Sequence, residues 1–460
     1  MTLVETAAAS LGAPGRTIDV WAGCAHTLTR AEEALIASPP FQRLRRLRQM
    51  GLAFHAWPNA ENTRASHSLG VAYWSTRYLD ALRRSTDPAT RAGLAAAAGE
   101  VDGLSFDVVL RLFGLLHDID LLPLGHTLRY QSGLFTEPAG RPRLWECVDA
   151  IKAAAGDLPG FDRHLDAAAG ILADEGAADA RLPVELVNSG LGADLVDFAL
   201  RDSFAITRPQ AFPAGLAEGL RLVETEEGWG LALDVTDAAT AAGRVALADD
   251  LYLARFEVFA ASVFHPVKLA ADAMLDLALR RLGADALRTL LLEPLLLTMG
   301  DDELVARLAP AEEAAARRIG AEPVVVALQG GRLHEEAWRT EDLAGFRHRP
   351  ESFRALALHP AWRDEAEAAL TARLPWATAG DVIVAVSAPN MQAKPANARF
   401  VGAGGVVFTL AEAPAHGFDV QAEETASRYE RLWSLRVYVS PRRREHAPDV
   451  AAAAQALFGA

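Results

Sequence analysis

Residues 111–128 read RLFGLLHDIDLLPLGHTL, a bulky apolar run that ends in an adjacent histidine and aspartate, and the reading of that pair decides the fold. A buried unpaired charge is costly, so His117 and Asp118 need each other, other polar partners or a cation. Adjacent residues on a helix point about 100° apart and cannot face one target from mid-helix; they converge where a helix ends. Pro123, five residues on, favours such an end. Imidazole and carboxylate together suit a divalent cation such as Mn, Fe, Co, Ni or Zn, provided other segments supply further ligands. Two segments do. His67 lies in NTRASHSLGVAYW (62–74), where Arg64, three residues earlier, shares its helix face, and Asp194 opens a helical pattern in NSGLGADLVDFALRDSFA (188–205). With His117 and Asp118 they make four ligands from three helices. An isolated His-Asp pair recurs by chance at about 1 in 400 positions, and Asp194 after Gly192 also suits a helix N-cap. The weight therefore rests on the three segments together.

The 460 residues, 51% hydrophobic and 23% charged, can bury a large core, so one large catalytic unit with an appended lobe is expected. The longest apolar stretches, such as TLLLEPLLLTM (289–299), are broken by Glu293 and Pro294 and fall short of the roughly 20 residues of a membrane span. The N-terminus lacks a basic region followed by an apolar core, so no secretory signal and a cytoplasmic location are expected. Two cysteines, Cys24 and Cys147, are too few for a disulfide framework or a cysteine-rich zinc site and fit a reducing compartment. A formal charge of −15 argues against wrapping a nucleic-acid backbone and leaves room for a local basic pocket.

Apolar residues at three- and four-residue intervals in 29–51 and 249–283 predict amphipathic helices, and the first three hundred residues read as mostly helical. After about residue 320, EPVVVALQ (322–329), GDVIVAVS (380–387), GGVVFTL (404–410) and LWSLRVYVS (432–440) read as strands. GEVDGLS (99–105) and EPAGRPRL (137–144) read as loops. The expected architecture is mostly α, a helical bundle over 17–300 with a C-terminal α+β lobe over 301–460.

Several blocks in order resemble one family. PPFQRLRRLRQMGLAFHAWPNAENTRASHSLGVAY (39–73), LLHDIDLLPLGHT (115–127), VNSGLGADLVDFALRDS (187–203), LYLARFEVFAASVFHPVKLAADAML (251–275) and DVIVAVSAPNMQAKPANARF (381–400) resemble HD-domain phosphohydrolases. The resemblance is to the deoxynucleoside-triphosphate triphosphohydrolases that include bacterial dGTPases and the SAM- and HD-domain protein. It covers roughly residues 17 to 440 and implies an HD-domain helical bundle. It also implies a single divalent metal on His67, His117, Asp118 and Asp194, with Mg able to accompany the substrate. Arg64 would touch the α-phosphate and His126 would face the phosphates. Gln49 would contact the sugar, with Phe198 and Asp202 where the family holds a sugar-contacting Tyr and Asp, and His265 would line the same pocket. A nucleotide substrate and a homo-oligomer follow from the same likeness. Arg43, Arg45, Arg46, Arg48, Arg64 and Arg201 cluster near these blocks in an acidic chain. Most of the 43–48 run reads as structural, whereas Arg64 lies one turn from a ligand and a guanidinium pairs bidentately with phosphate.

The chain departs from the pattern at four places. Leu121, after Asp120, stands where the family has its second histidine, Trp145 beside Glu146 where it has another, Leu195 where it has a lysine, and Val263 where a tyrosine screens the sugar 2′ position. These changes predict weakened ordinary triphosphohydrolysis and room for a ribonucleotide or an altered sugar, with Asp120 or Glu146 as candidate proton-transfer groups. A catalytically reduced nucleotide-binding regulatory protein is the competing reading. A dinuclear iron oxygenase is a third; it needs further histidines between His117 and Asp194, where His126 is taken by the phosphates and His164 reads as a helix-surface residue.

Overall fold

The computed structural model describes residues 9–21, 23–101, 103–125, 128, 140–173, 181–213, 215–226, 228–290, 297–340, 360–386 and 396–459. The chain opens with an antiparallel hairpin, β1 (Pro14–Trp21) and β2 (Cys24–Thr29), and then enters α1 (Arg30–Ala37). Thr29 and Glu32 form a reciprocal capping box at that entry, satisfying two helix-start amides. The amphipathic pattern of 29–51 is divided by Ser38-Pro39-Pro40 into α1, a short α2 (Pro39–Arg43) and two 3₁₀ turns, because proline is accommodated at a helix start and not inside one.

Among the described residues, seven further helices belong to the bundle: α3 (Arg64–Arg84), α4 (Pro88–Glu100), α5 (Phe106–Leu116), α6 (Pro142–Ala155), α7 (Phe161–Ala173), α8 (Arg181–Asn188) and α9 (Ala193–Ala205). The helix α3 packs against both α5 and α9. Val71, Trp74 and Tyr78 of α3, Leu112, Phe113 and Leu116 of α5, and Val196 and Leu200 of α9 are buried in one core. Each such side chain contributes on the order of 1.5–3 kcal/mol by leaving water. Gly114 lets α5 and α3 approach, since a Cβ there would lie 3.3 Å from the Ala72 Cα. The segment 99–105, read as a loop, is helical to Glu100; residues 142–144 of the second loop already belong to α6, and 137–139 lie outside the described residues.

Strands β3 (Leu220–Thr225) and β4 (Gly228–Asp234) form a second hairpin, followed by α10 (Ala238–Val258) and α11 (Pro266–Leu290). A π turn over Phe259–Val263 separates the two helices, which bend by 56°. No single helix among the described residues is long and apolar enough to cross a membrane. Against α11 pack α12 (Asp301–Arg318) and α13 (Val324–Gln329). The last is a correction: VVVALQ was expected as a strand. A short apolar run has no periodicity to distinguish the two forms, and burial of Val324, Val325 and Leu328 against α11, with Val325 N–H donating to Glu312 Oε2 at 3.2 Å, selects the helix.

The remaining elements are β5 (Glu335–Arg339), α14 (Pro360–Thr371), β6 (Val382–Val386), β7 (Arg399–Val401), β8 (Val407–Thr409), α15 (Ala422–Glu430), β9 (Leu435–Val439) and α16 (Ala447–Phe458). The expected strands at 380–387, 404–410 and 432–440 are present. One antiparallel sheet runs β5-β9-β6 and carries α14 and α16. A second runs β3-β4-β7-β8, with β7 parallel to β4 through Ala232–Arg399, Leu233–Phe400 and Asp234–Val401. Phe400, Phe408 and Leu410 are thereby buried in the same core as α3, α5 and α9.

Asp301, buried at the start of α12, ties two distant strips of backbone. Its Oδ1 accepts from Leu124 N–H at 2.6 Å and its Oδ2 from Arg48 N–H at 2.8 Å. Leu124 is one of three non-glycine residues at positive φ among the described residues, at 58°, so the turn after the His-Asp pair is held in a strained form by this carboxylate. Asp301→Ala is expected to cost about 2–4 kcal/mol, from two lost charge-assisted hydrogen bonds, in equilibrium denaturation. A cost under about 0.5 kcal/mol would show that the clamp is idle.

Candidate metal centre

His67 sits one turn into α3, whose start is fixed by Thr63 accepting from Ser66 N–H. His117 and Asp118 follow the last residue of α5, as their adjacency requires. Asp194 lies in the first turn of α9, behind the N-cap Gly192. Candidate ligand atoms of His67, His117 and Asp118 all lie within 4.8 Å of one another, and Asp194 Oδ1 is 3.0 Å from His67 Nε2. Three of the four expected ligands thus form one cluster, and Asp194 joins it through His67.

Each imidazole is oriented from behind. His117 Nδ1–H donates to Gly114 O at 2.7 Å, which directs Nε2 inward; that atom is buried and has no hydrogen-bond partner among the described residues, 3.6 Å from Asp118 Oδ2. His67 Nδ1–H donates to Asp197 Oδ2 at 2.9 Å, leaving Nε2 toward Asp194. The rings meet edge to face at 5.1 Å. Burial opposes charge on His67, but the hydrogen bonds to Asp194 and Asp197 outweigh it and push its pKa up to about 10. Burial likewise tends to raise the Asp118 carboxyl, and Arg64, His117 and His67 hold it down at about 2. The cluster therefore favours positive charge between its carboxylates. Two inward imidazole nitrogens backed by a carboxylate and a carbonyl, with two carboxylates beside them, fit a divalent transition metal.

Arg64 is buried and forked: Nη1 donates to Asp118 Oδ2 at 2.7 Å and Nη2 to Gln49 O at 3.1 Å. Gln49 and Asn62 adjoin through Gln49 N–H donating to Asn62 O, and Asn62 Nδ2 donates to Asp202 Oδ1 at 2.6 Å. Gln49 Oε1 and Asn62 Oδ1 are buried acceptors without donors among the described residues. Burial lifts the Asp202 carboxyl to about 6. Phe198 and Trp57 both pack against the cluster that includes Met50 and Ala205, and Trp57 meets His265 edge to face at 6.2 Å. The expected sugar-side residues thus share one neighbourhood. His126 lies outside the described residues.

Asp120 and Glu146 are placed differently. Asp120 is buried and taken up by Arg141, Nη2 to Oδ1 at 2.9 Å and Nε to Oδ2 at 3.2 Å. Glu146 is exposed on α6, and among the described residues no hydrogen bond or ion pair joins either carboxylate to the cluster. His164, expected on a helix surface, is buried instead: Nδ1–H donates to Gly160 O and Nε2 accepts from Ser105 N–H, so both nitrogens are occupied in joining α7 to the start of α5.

Two residues escaped the sequence reading. Asp197 also accepts from Arg201 (2.9 and 2.8 Å) and from Trp21 Nε1 (3.1 Å), so it fixes His67 through a network reaching the N-terminal hairpin. A Cβ at Gly70 would fall 1.7 Å from its Oδ1, so only glycine admits that carboxylate. Asp197 lies three residues after Asp194 and Gly70 three after His67, a paired spacing that could have revealed it. Arg255, on α10, is nearly buried and stacks over Phe259 at 4.9 Å; among the described residues no carboxylate forms an ion pair with it. It lines a cavity of about 90 Å³ with Asp194, Leu195, Phe198, Tyr252 and Asn397. Asp197→Asn is expected to weaken metal binding about 10- to 100-fold, the usual cost of losing an outer-shell partner, in a metal titration. An unchanged affinity would assign Asp197 to stability alone.

No protein-family model matches the chain. A crystal structure of a phosphohydrolase from Bacteroides thetaiotaomicron superposes with a TM-score of 0.60 at 15% identity, over 93% of this chain and all of that one. The chain thus shares the fold of that phosphohydrolase, mostly helical with a small sheet-bearing lobe. By sequence, an uncharacterized protein of Methanocaldococcus jannaschii is 25% identical over 251 residues, 55% of this chain and 46% of the relative. Deoxynucleoside triphosphate triphosphohydrolase SAMHD1 of Bos taurus is 30% identical over 111 residues, 24% of this chain and 16% of that protein. The chain spans about half the length of the first curated relatives it matches. Leu195 lines the cavity beside Asp194, and Val263 packs near Phe264 and Tyr429.

Proposed function

We propose that the protein is a metal-dependent phosphohydrolase acting on a nucleotide of the dNTP or NTP type, with water attacking phosphorus to release nucleoside and a phosphate or triphosphate. The observation that carries this reading is the partnerless, buried Nε2 of His117, aimed at the cluster of His67, Asp118 and Asp194. A buried acceptor without a donor is costly, and a cation relieves that cost. His67, His117, Asp118 and Asp194 would hold one divalent ion. When bound, such an ion supplies Lewis acidity toward a phosphoryl oxygen and lowers the pKa of water.

The chain's own groups divide the remaining work. Arg64 presents a fixed guanidinium that offsets charge on the phosphate, and Arg255 offers a second cation. Gln49 Oε1, Asn62 Oδ1 and Asp202 accept from sugar hydroxyls, and Trp57, Phe198 and His265 form the flatter, apolar side of the pocket. The fold neighbour is a phosphohydrolase and a relative by sequence is a deoxynucleoside triphosphate triphosphohydrolase, which supports this class of reaction.

One observation favours the second reading, a nucleotide-binding regulator with little turnover: Asp120 is neutralised by Arg141, and Glu146 faces solvent. The third, a dinuclear iron oxygenase, loses support because His164 has both ring nitrogens occupied. The deciding experiment screens metal-loaded protein against the common NTPs and dNTPs, identifying products by chromatography. Nucleoside with phosphate or triphosphate is expected; tight binding with no product would select the regulator.

A further inference from the structure

The cavity beside Asp194 is walled partly by a segment far away in sequence. Residues 396–398 run into β7, which the parallel pairing with β4 fixes in place. Tyr252 of α10 locks Asn397 there. Its phenolic hydroxyl donates to Asn397 Oδ1 at 3.0 Å. That assignment fixes the amide: the carbonyl is used, and the Nδ2 donors remain. The packing leaves no room to spare, because a Cβ on Gly190 would fall 2.5 Å from Asn397 Oδ1 and 2.6 Å from the Tyr252 hydroxyl.

The rim so formed is rich in donors. Arg255 contributes a guanidinium with no ion-pair partner among the described residues, Asn397 its Nδ2 group, and Ser189 a hydroxyl, all lining one cavity with the proposed ligand Asp194. The acceptors without donors, Gln49 Oε1 and Asn62 Oδ1, belong instead to the Arg64 and Asp202 neighbourhood. Anionic oxygens match the first set and hydroxyl groups the second.

We propose that Asn397 is a substrate-binding residue that donates from Nδ2 to the phosphate chain beyond the phosphate next to the metal, so that the C-terminal third of the chain completes the nucleotide site. The proposal rests on the phosphohydrolase reading and deepens it: substrates with a polyphosphate tail are held better than monophosphates.

The test uses the full chain loaded with Mn²⁺ and two inorganic probes, tripolyphosphate and orthophosphate, titrated calorimetrically. Asn397 is exposed at the rim, so Asn397→Ala is expected to fold normally, with unchanged Mn²⁺ affinity. Tripolyphosphate affinity is expected to fall roughly 10- to 100-fold, the worth of one hydrogen bond to a charged group, with orthophosphate affinity unchanged. Tyr252→Phe, which keeps Asn397 but frees its amide to rotate, is expected to give a smaller loss for tripolyphosphate alone. Equal tripolyphosphate affinity in wild type and Asn397→Ala would overturn the role of Asn397 and leave the phosphohydrolase reading standing. If Mn²⁺-loaded wild type binds neither probe, both fall together.

Discussion

His117→Ala is expected to lose at least about 100-fold in divalent-metal affinity, above the range for outer-shell groups, and to lose turnover with it. The Nε2 of His117 has no other occupation among the described residues: it is buried, without a hydrogen-bond partner there, and faces Asp118. Its other nitrogen is held by Gly114 O, so the ring cannot turn away. Removing the ring forfeits one hydrogen bond, about 1 kcal/mol, and also removes an unsatisfied buried acceptor, so the melting temperature should change little. That contrast separates a ligand from a core histidine. Metal content by elemental analysis after dialysis, set beside a thermal melt, decides it. A variant that retains metal at wild-type affinity would remove the basis of the enzymatic reading.

Arg64→Ala is expected to lower turnover about 10²- to 10³-fold, the cost of deleting one preorganised donor to developing charge. The guanidinium is positioned before substrate arrives, by Asp118 on one arm and the Gln49 carbonyl on the other. A lysine carries the charge but not the fork, so Arg64→Lys should recover no more than a small part of the rate. Both variants should keep the metal, because none of the inward ligand atoms is altered. Rate and metal content measured on the same sample test this. Loss of metal in step with rate would show that Arg64 acts by holding Asp118.

The cluster was readable because its chemistry forces local signs: an adjacent pair at a helix end, an arginine one turn from a histidine, an aspartate opening a helix. The helix starting at Arg64, the end of α5 at Leu116 and Asp194 in the first turn of α9 follow from those signs. Asp197 was missed because its value lies in a contact from α9 to α3 that only a glycine at 70 permits. Arg255 was missed because an arginine in an amphipathic helix normally faces water, and only packing reveals one left near-buried against a ring. VVVALQ was misread because a run of five apolar residues suits either backbone form and tertiary contacts chose. His164 was misjudged for a related reason: its two partners, Gly160 O and Ser105 N–H, come from a helix start and a loop that lie together only in the folded chain.

The side-by-side alignment of β4 and β7 joins residues 232–234 to 399–401. A premature stop before residue 396 would therefore strip away one wall of the cavity beside Asp194 together with a sheet strand, and the remaining bundle would show raw apolar faces where Phe400 and Phe408 had packed. Evolutionary shuffling of the tail meets the same obstacle: an exchanged segment must bring a strand that fits this edge.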